Sequence, residues 1–436
     1  MGEGSIRDWK IQGVPLVPFM VMAVIILSAM YTEKLGTDVL STIALLMALG
    51  GLLFEIGNRI PIFNKWVGGG SMLAMMVPSW MGYQKMIPQA YVDATVNFYD
   101  GISFQTMFIC FLMAGSLLVI GRKTLLRSVA RYIPTILAGI AGAAIFGLIG
   151  GMIMGYRPAD VVCNYVLPIM GGGNGAGAVP MSQIFEEVTG ISKDAFYARA
   201  IAILTFANIL CIIVAALLNG LGKQFPKLTG DKSNLMRSSS ADVVGDEKVQ
   251  LPETTLMDCG NAFLWVGAIF AAACLIKSVA PKICGARIHE YAWFVLLLVV
   301  LNVANLVPLY VRSGIKKVTD MFTRHWSGVV FAGIGIALTD FSEFVSAINV
   351  DTLVISLAIV IGAVLGTAII GFILGLYPID AAITAGLCMA NRGGGGDVVV
   401  LGAADRMELM SYAAVSSRIG GAIVLIIASV VFGILY

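Results

Sequence analysis

Residues 388–397 read CMANRGGGGD and lie between two long apolar segments. Arg392 is followed by four glycines and then by the carboxylate of Asp397. Each glycine costs about 1 kcal/mol in a helix relative to alanine, so the run should interrupt the helix. Bare backbone at membrane depth survives only where it is buried in protein or lines a wet cavity. Asn391, Arg392 and Asp397 at that depth read as a ligand and ion site. A guanidinium grips a carboxylate with two parallel hydrogen bonds, and an aspartate is a natural cation ligand. The plainer alternative is a structural Arg392–Asp397 ion pair, although a buried pair alone is weak evidence of stability.

Two further stretches have the same character. Pro168–Gly177 reads PIMGGGNGAG, where glycines free N–H groups to face an anion and C=O groups to face a cation. The Asn174 amide can do either, and the alternative is a small-residue packing face between helices. Arg418 stands in Ser416-Ser417-Arg418, seven residues past Ser411, which is about 10 Å along a helix. At that depth it either lines a cavity or snorkels to the interface. Two arginines converging on one cavity imply a substrate with at least two carboxylates. Asp340 is either an ion ligand or a helix-end residue, and Asn208, Asn302 and Asn305 suit interhelical hydrogen bonds.

The elements that must position these groups are set by composition. The chain is 58% hydrophobic and 12% charged, with a mean hydropathy of +0.90. Soluble domains carry about 25% charged residues, so an all-α polytopic membrane protein is expected. The net charge of +2 and the lack of a basic run with interleaved aromatics argue against nucleic acid. The seven cysteines form no CxxC pair, and His289 and His325 stand at loop edges, so disulfide, zinc and Ser-His chemistry are all weak readings and no enzyme is expected. No small-residue cleavage site follows the first apolar run, which is therefore a retained span.

Apolar runs of about 20 residues mark spans. Eleven full spans are expected: Val14–Tyr31, Val39–Phe54, Trp66–Gly82, Ser103–Gly121, Ile133–Met154, Ala198–Leu221, Ala262–Val279, Tyr291–Val311, Ser327–Ile348, Leu353–Leu376 and Ser411–Tyr436. Val161–Met181 and Ala381–Val400 are broken stretches, read as re-entrant hairpins. With that topology 17 of the 28 Lys and Arg residues fall on one side and 8 on the other. The bias places the N-terminus in the cytoplasm and the C-terminus outside. The halves then enter the membrane from opposite faces, with Gly171–Gly177 falling opposite Asn391–Asp397 when Asp160 is matched to Asp380. Inverted repeats with interrupted helices meeting near the midplane are a transporter pattern. The expected division is an extra span at 1–38, a first repeat at 39–222 with its hairpin at 161–187, a polar cytoplasmic linker at 223–258, and a second repeat at 259–436 with its hairpin at 378–410.

The stretches Pro168–Pro180, Ile383–Asp397 and Ser416–Ala422, supported by Arg131–Ile140 and Arg59–Lys65, resemble the 2-hydroxycarboxylate transporter family over nearly the whole chain, most closely its bacterial sodium–citrate symporters. The resemblance implies a homodimer in the inner membrane. Each protomer would have a static domain and a transport domain carrying both hairpins as an elevator. It implies sodium-coupled symport of citrate, without a cofactor. Substrate ligands would be Asn174, Gly175, Arg392, Gly394, Gly395, Ser417 and Arg418. Sodium ligands would come from Ile169, Gly172, Asn174, Cys388, Met389, Asn391 and Asp397. Citrate symporters commonly carry Ser where this chain has Gly395, which removes one hydroxyl contact. Malate as substrate and protons as coupling ion stay open, and a membrane subunit of a sodium-pumping decarboxylase or a passive anion channel are the readings from other classes.

Overall fold

The computed structural model describes residues 9–61, 64, 69–119, 122–230, 235–237, 251–281, 288–337, 339, 341–393 and 395–435. Asp340, Gly394 and the linker residues 231–234 and 238–250 therefore lie outside the described residues. The chain forms two compact units, Met1–Phe108 with Lys317–Val345, and Ile109–Lys316 with Ser346–Tyr436. Each unit takes segments from both halves of the sequence.

Among the described residues, six helices are long and apolar enough to cross a membrane: Val39–Arg59, Arg131–Ile153, Lys193–Gln224, Leu256–Val279, Val350–Ile373 and Met407–Leu435. Gln89–Gly101 and Phe104–Leu117, bent by 50°, make a seventh if taken together. The other expected spans are shorter helices among the described residues. Leu16–Tyr31 has 16 residues, Gly69–Tyr83 has 15 and Ser327–Ala337 has 11. Tyr291–Val311 is not one helix. It ends at Val303, because Asn305 takes a left-handed φ of 55° and Pro308 has no N–H to continue the ladder.

In the first unit a two-stranded ribbon pairs Lys10–Ile11 with Val14–Pro15, and Gln12 and Gly13 supply the positive φ that its tight turn demands. Asp38 caps the Val39–Arg59 helix by accepting from the Leu40 and Ser41 amides at 3.0 and 3.1 Å. The Ser41 hydroxyl and amide hold the Asp38 carboxyl below its ordinary range. Phe98, Tyr99, Phe104, Phe322 and Trp326 form an aromatic cluster, with the Phe98 and Phe104 rings 4.6 Å apart.

In the second unit the Arg122–Ile153 and Val350–Ile373 helices cross at backbone contact. A methyl on Gly142 would stand 2.2 Å from the Gly362 carbonyl oxygen, and one on Gly362 would stand 2.2 Å from the Gly142 carbonyl oxygen. Gly362 and Gly366 form the GxxxG spacing that lets membrane helices approach this closely. Helix starts follow local chemistry: Thr255 and Asp258 form a reciprocal capping box, and Asn349 accepts from the Thr352 amide at 2.8 Å.

Candidate functional site

Both broken stretches lie in the second unit as two helical arms joined by a turn, and their first arms are built alike. Each opens with proline at its first helical position, in Pro158–Val161 and Pro378–Ala381, and continues through a wider π-type turn before it breaks, at Gly171 in the first and at Asn391 in the second. The first break covers Gly171–Gly173, with φ of 79° and 109° at Gly172 and Gly173. Asn174 and Gly175 then begin the return arm in a helical turn. The second break starts at Asn391, and the helix Gly395–Ala403 resumes inside the glycine run, with Asp397 in its first turn. Two of the four glycines thus adopt helix, because they occupy the N-terminal turn, where the amides need no intrahelical partner.

The tips touch. The Asn174 amide donates to the Arg392 carbonyl at 3.4 Å, and a methyl on Gly173 would stand 2.3 Å from that oxygen. A methyl on Gly172 would meet the Ser417 carbonyl at 2.3 Å, so the turn at Ser416–Gly420 closes on the same place. Only glycine permits this spacing.

Asp397 is buried at this junction. Its Oδ1 accepts from Asn391 Nδ2 and its Oδ2 from Ser417 Oγ, each at 3.0 Å. Asn391 in turn accepts from the Gly393 amide at 2.6 Å, which fixes its orientation. The carboxylate is therefore held by neutral donors, and the Arg392–Asp397 pair weighed from the sequence does not form. Among the described residues no carboxylate lies within ion-pairing distance of Arg392 or Arg418, although Arg418 is near enough to Asp397 to feel its charge. Arg418 is exposed and Arg392 half-buried. Cys388, Met389 and Ile169 are fully buried, and Cys388 lies within the field of Asp397. The structure thus gathers Gly172, Asn174, Arg392, Ser417, Asn391 and Asp397. Gly394 lies outside the described residues, and nothing ties Ile169 directly to the junction.

Sequence reasoning missed three groups. Tyr197, fully buried on the Lys193–Gln224 helix, donates from its hydroxyl to Asn174 Oδ1 at 2.5 Å. Asp380 and Arg406, both fully buried, join the feet of the second hairpin at 2.6 Å. Asp380 also accepts from Thr229 Oγ1 and the Gly230 amide, each at 2.8 Å, while Arg406 reaches Asn219 at 3.0 Å. The chain after Lys193–Gln224 is thereby strapped across the foot, with the Tyr377 amide donating to the Leu235 carbonyl at 2.8 Å. The third group holds the first hairpin: Glu187, Lys277, His289 and Glu290. His289 Nδ1 accepts the Tyr291 amide at 3.1 Å, so Nε2 carries the proton and donates to Glu187 at 2.8 Å. Glu187, His289 and Glu290 have the spacing of a metal site, but the histidine lone pair caps a helix and the Lys277 ammonium sits 2.6 Å from Glu290. This is an ion-pair network. No local pattern flags partners so distant in sequence, except that a charge inside an apolar run asks for one.

The model of the 2-hydroxycarboxylate transporter family matches residues 11–430. The chain is 42% identical over 440 residues to the citrate/sodium symporter of Salmonella dublin, covering 100% of this chain and 97% of the relative, and equally so to that of Klebsiella pneumoniae. It is 30% identical over 437 residues to the malate transporter MleP of Lactococcus lactis, covering 99% of this chain and 100% of the relative. This chain belongs to the 2-hydroxycarboxylate transporter family.

Proposed function

We propose that the protein is a secondary symporter that takes up citrate, or a closely related 2-hydroxycarboxylate, together with sodium ions. One observation carries this reading. Two guanidiniums without carboxylate partners among the described residues, Arg392 and Arg418, flank touching glycine turns whose one buried carboxylate, Asp397, is held by neutral donors. Unpaired cations at such a place need an anion with more than one carboxylate. Asp397, Asn391 and the backbone carbonyls of the turns are suited to sodium. The ions would offset the substrate's charge, so the empty and the fully loaded site cross while the half-loaded one does not. The coupling is reciprocal, since sodium that tightens citrate is itself tightened by citrate.

The mutual contact of Gly142 and Gly362, spaced along the chain as Asp160 and Asp380 are, is of the kind a pseudo-two-fold axis produces and supports an inverted repeat. The hairpin-bearing unit would carry the substrate through the inner membrane in an elevator step, and the other unit would hold the scaffold of a homodimer with a cytoplasmic N-terminus. The Lactococcus malate transporter keeps malate as a second reading, and the Gly395 departure points the same way. Uptake of labelled citrate into proteoliposomes, with and without sodium and with malate and lactate as competitors, tests the proposal. Sodium-independent uptake would overturn the coupling, and preferential competition by malate would reassign the substrate.

A further inference from the structure

The Asn174 amide could face the site with its carbonyl or with its N–H donors, and the two choices serve opposite charges. Tyr197 favours one of them. Its hydroxyl donates to Asn174 Oδ1 at 2.5 Å, from a ring that is fully buried. Tyr197 belongs to the second turn of a helix that starts at Lys193 with Ser192 as its cap, so the phenol is set on a rigid element. The main chain of Asn174 is fixed as well, by its hydrogen bond to the Arg392 carbonyl. A phenol is a stronger donor than acceptor, and a flipped amide would leave its buried O–H to find another acceptor, so the amide keeps its oxygen on Tyr197 and its two Nδ2–H donors are left for another partner. An N–H pair on the residue whose main chain is bonded to Arg392, a cation without a carboxylate partner among the described residues, suits an anion.

We infer that Tyr197 is a positioning residue: it locks the Asn174 amide so that Asn174 presents N–H donors to a substrate carboxylate. The inference rests on the symporter reading and deepens it, because it assigns Asn174 to the substrate through Nδ2. Removal of the hydroxyl frees the amide to turn its oxygen toward an anion, which repels it. The effect therefore falls on substrate affinity more than on turnover.

The test is a double-mutant cycle in proteoliposomes at saturating sodium, with apparent KM and Vmax for citrate as readouts. Tyr197→Phe keeps the ring and is expected to raise KM about five- to tenfold, the size of one net hydrogen bond, with a much smaller change in Vmax. Asn174→Ala raises KM at least as much. In the Asn174→Ala background, Tyr197→Phe should add nothing. Equal effects of Tyr197→Phe with and without Asn174 would show that the tyrosine acts elsewhere, and overturn the inference. A silent Tyr197→Phe beside an impaired Asn174→Ala overturns it too and leaves the symporter reading standing. A silent Asn174→Ala removes both the inference and the assignment of Asn174 to the site. If Tyr197→Phe lowers the yield of folded protein, the citrate-induced rise in melting temperature of the purified variants supplies the same cycle without transport.

Discussion

The first hairpin turns at Gly171–Gly173 with only backbone and the Asn174 amide to offer, whereas the second turns at Asn391–Gly393 and brings a guanidinium and a carboxylate with it. Their anchors differ as well. The second hairpin is closed at its feet by Asp380 and Arg406, an ion pair inside the protein with Thr229, Gly230 and Asn219 around it. The first is held by Glu187, half-exposed, to Lys277 and His289. One topology therefore carries two divisions of labour. Charge is placed on the arm whose base is closed by a buried ion pair, so that Arg392 and Asp397 have a rigid footing.

The largest expected effect tests the charge asymmetry at the tips. Arg392→Ala should lower citrate uptake by about 100-fold or more, because two charge-assisted hydrogen bonds are each worth about 1.5–3 kcal/mol. Asn174→Ala on the other tip should cost about tenfold, the value of a neutral donor. Initial rates in proteoliposomes decide it, and equal losses at the two tips would erase the distinction.

The anchors come next. Asp380→Ala leaves Arg406 buried and uncompensated, which costs about 3–5 kcal/mol. Glu187→Gln removes an exposed partner, worth about 0–1 kcal/mol. Thermal unfolding in detergent should therefore show a large fall for the first and almost none for the second. A reversed order would mean that the first hairpin, not the second, is the rigid one.

Arg418→Lys probes the exposed guanidinium next to Ser417, near enough to Asp397 to feel its charge. Lysine keeps the charge and loses the two-pronged geometry, so the apparent KM for citrate should rise about tenfold with Vmax less affected. An unchanged KM would remove Arg418 from the substrate's surroundings.

How far these contrasts were readable in the sequence follows the range of the interactions. The two breaks were legible because glycine runs act locally, and Arg392, Asp397 and Arg418 because a charge in an apolar run stands out against its neighbours. The placement of the breaks was less so: Gly395 and Gly396 are helical, since an N-terminal turn tolerates what a helix interior does not. The Tyr291–Val311 span failed for a related reason, a left-handed Asn305 hidden in apolar surroundings. Asp380–Arg406 and Tyr197–Asn174 were invisible because only folding brings them together, and the mutual approach of Gly142 and Gly362 is unmarked among the chain's 50 glycines.

The smallest effect is expected at Gly395. This residue opens the helix Gly395–Ala403, a position where serine fits without loss, since helix starts favour hydroxyl side chains over helix interiors. Gly395→Ser would add one oxygen beside a tip that already holds Asn391 and Asp397. If that oxygen joins a sodium, the half-saturating sodium concentration should fall about two- to threefold while citrate competition is unchanged, a gain of the order of one weak hydrogen bond. If it joins the substrate instead, citrate should gain on malate and the sodium dependence should stay where it is. Measuring both titrations on one variant separates the two, and a serine that moved neither would show that the second tip is complete without a hydroxyl. The difference between the hairpins would then rest on Arg392 and Asp397 alone.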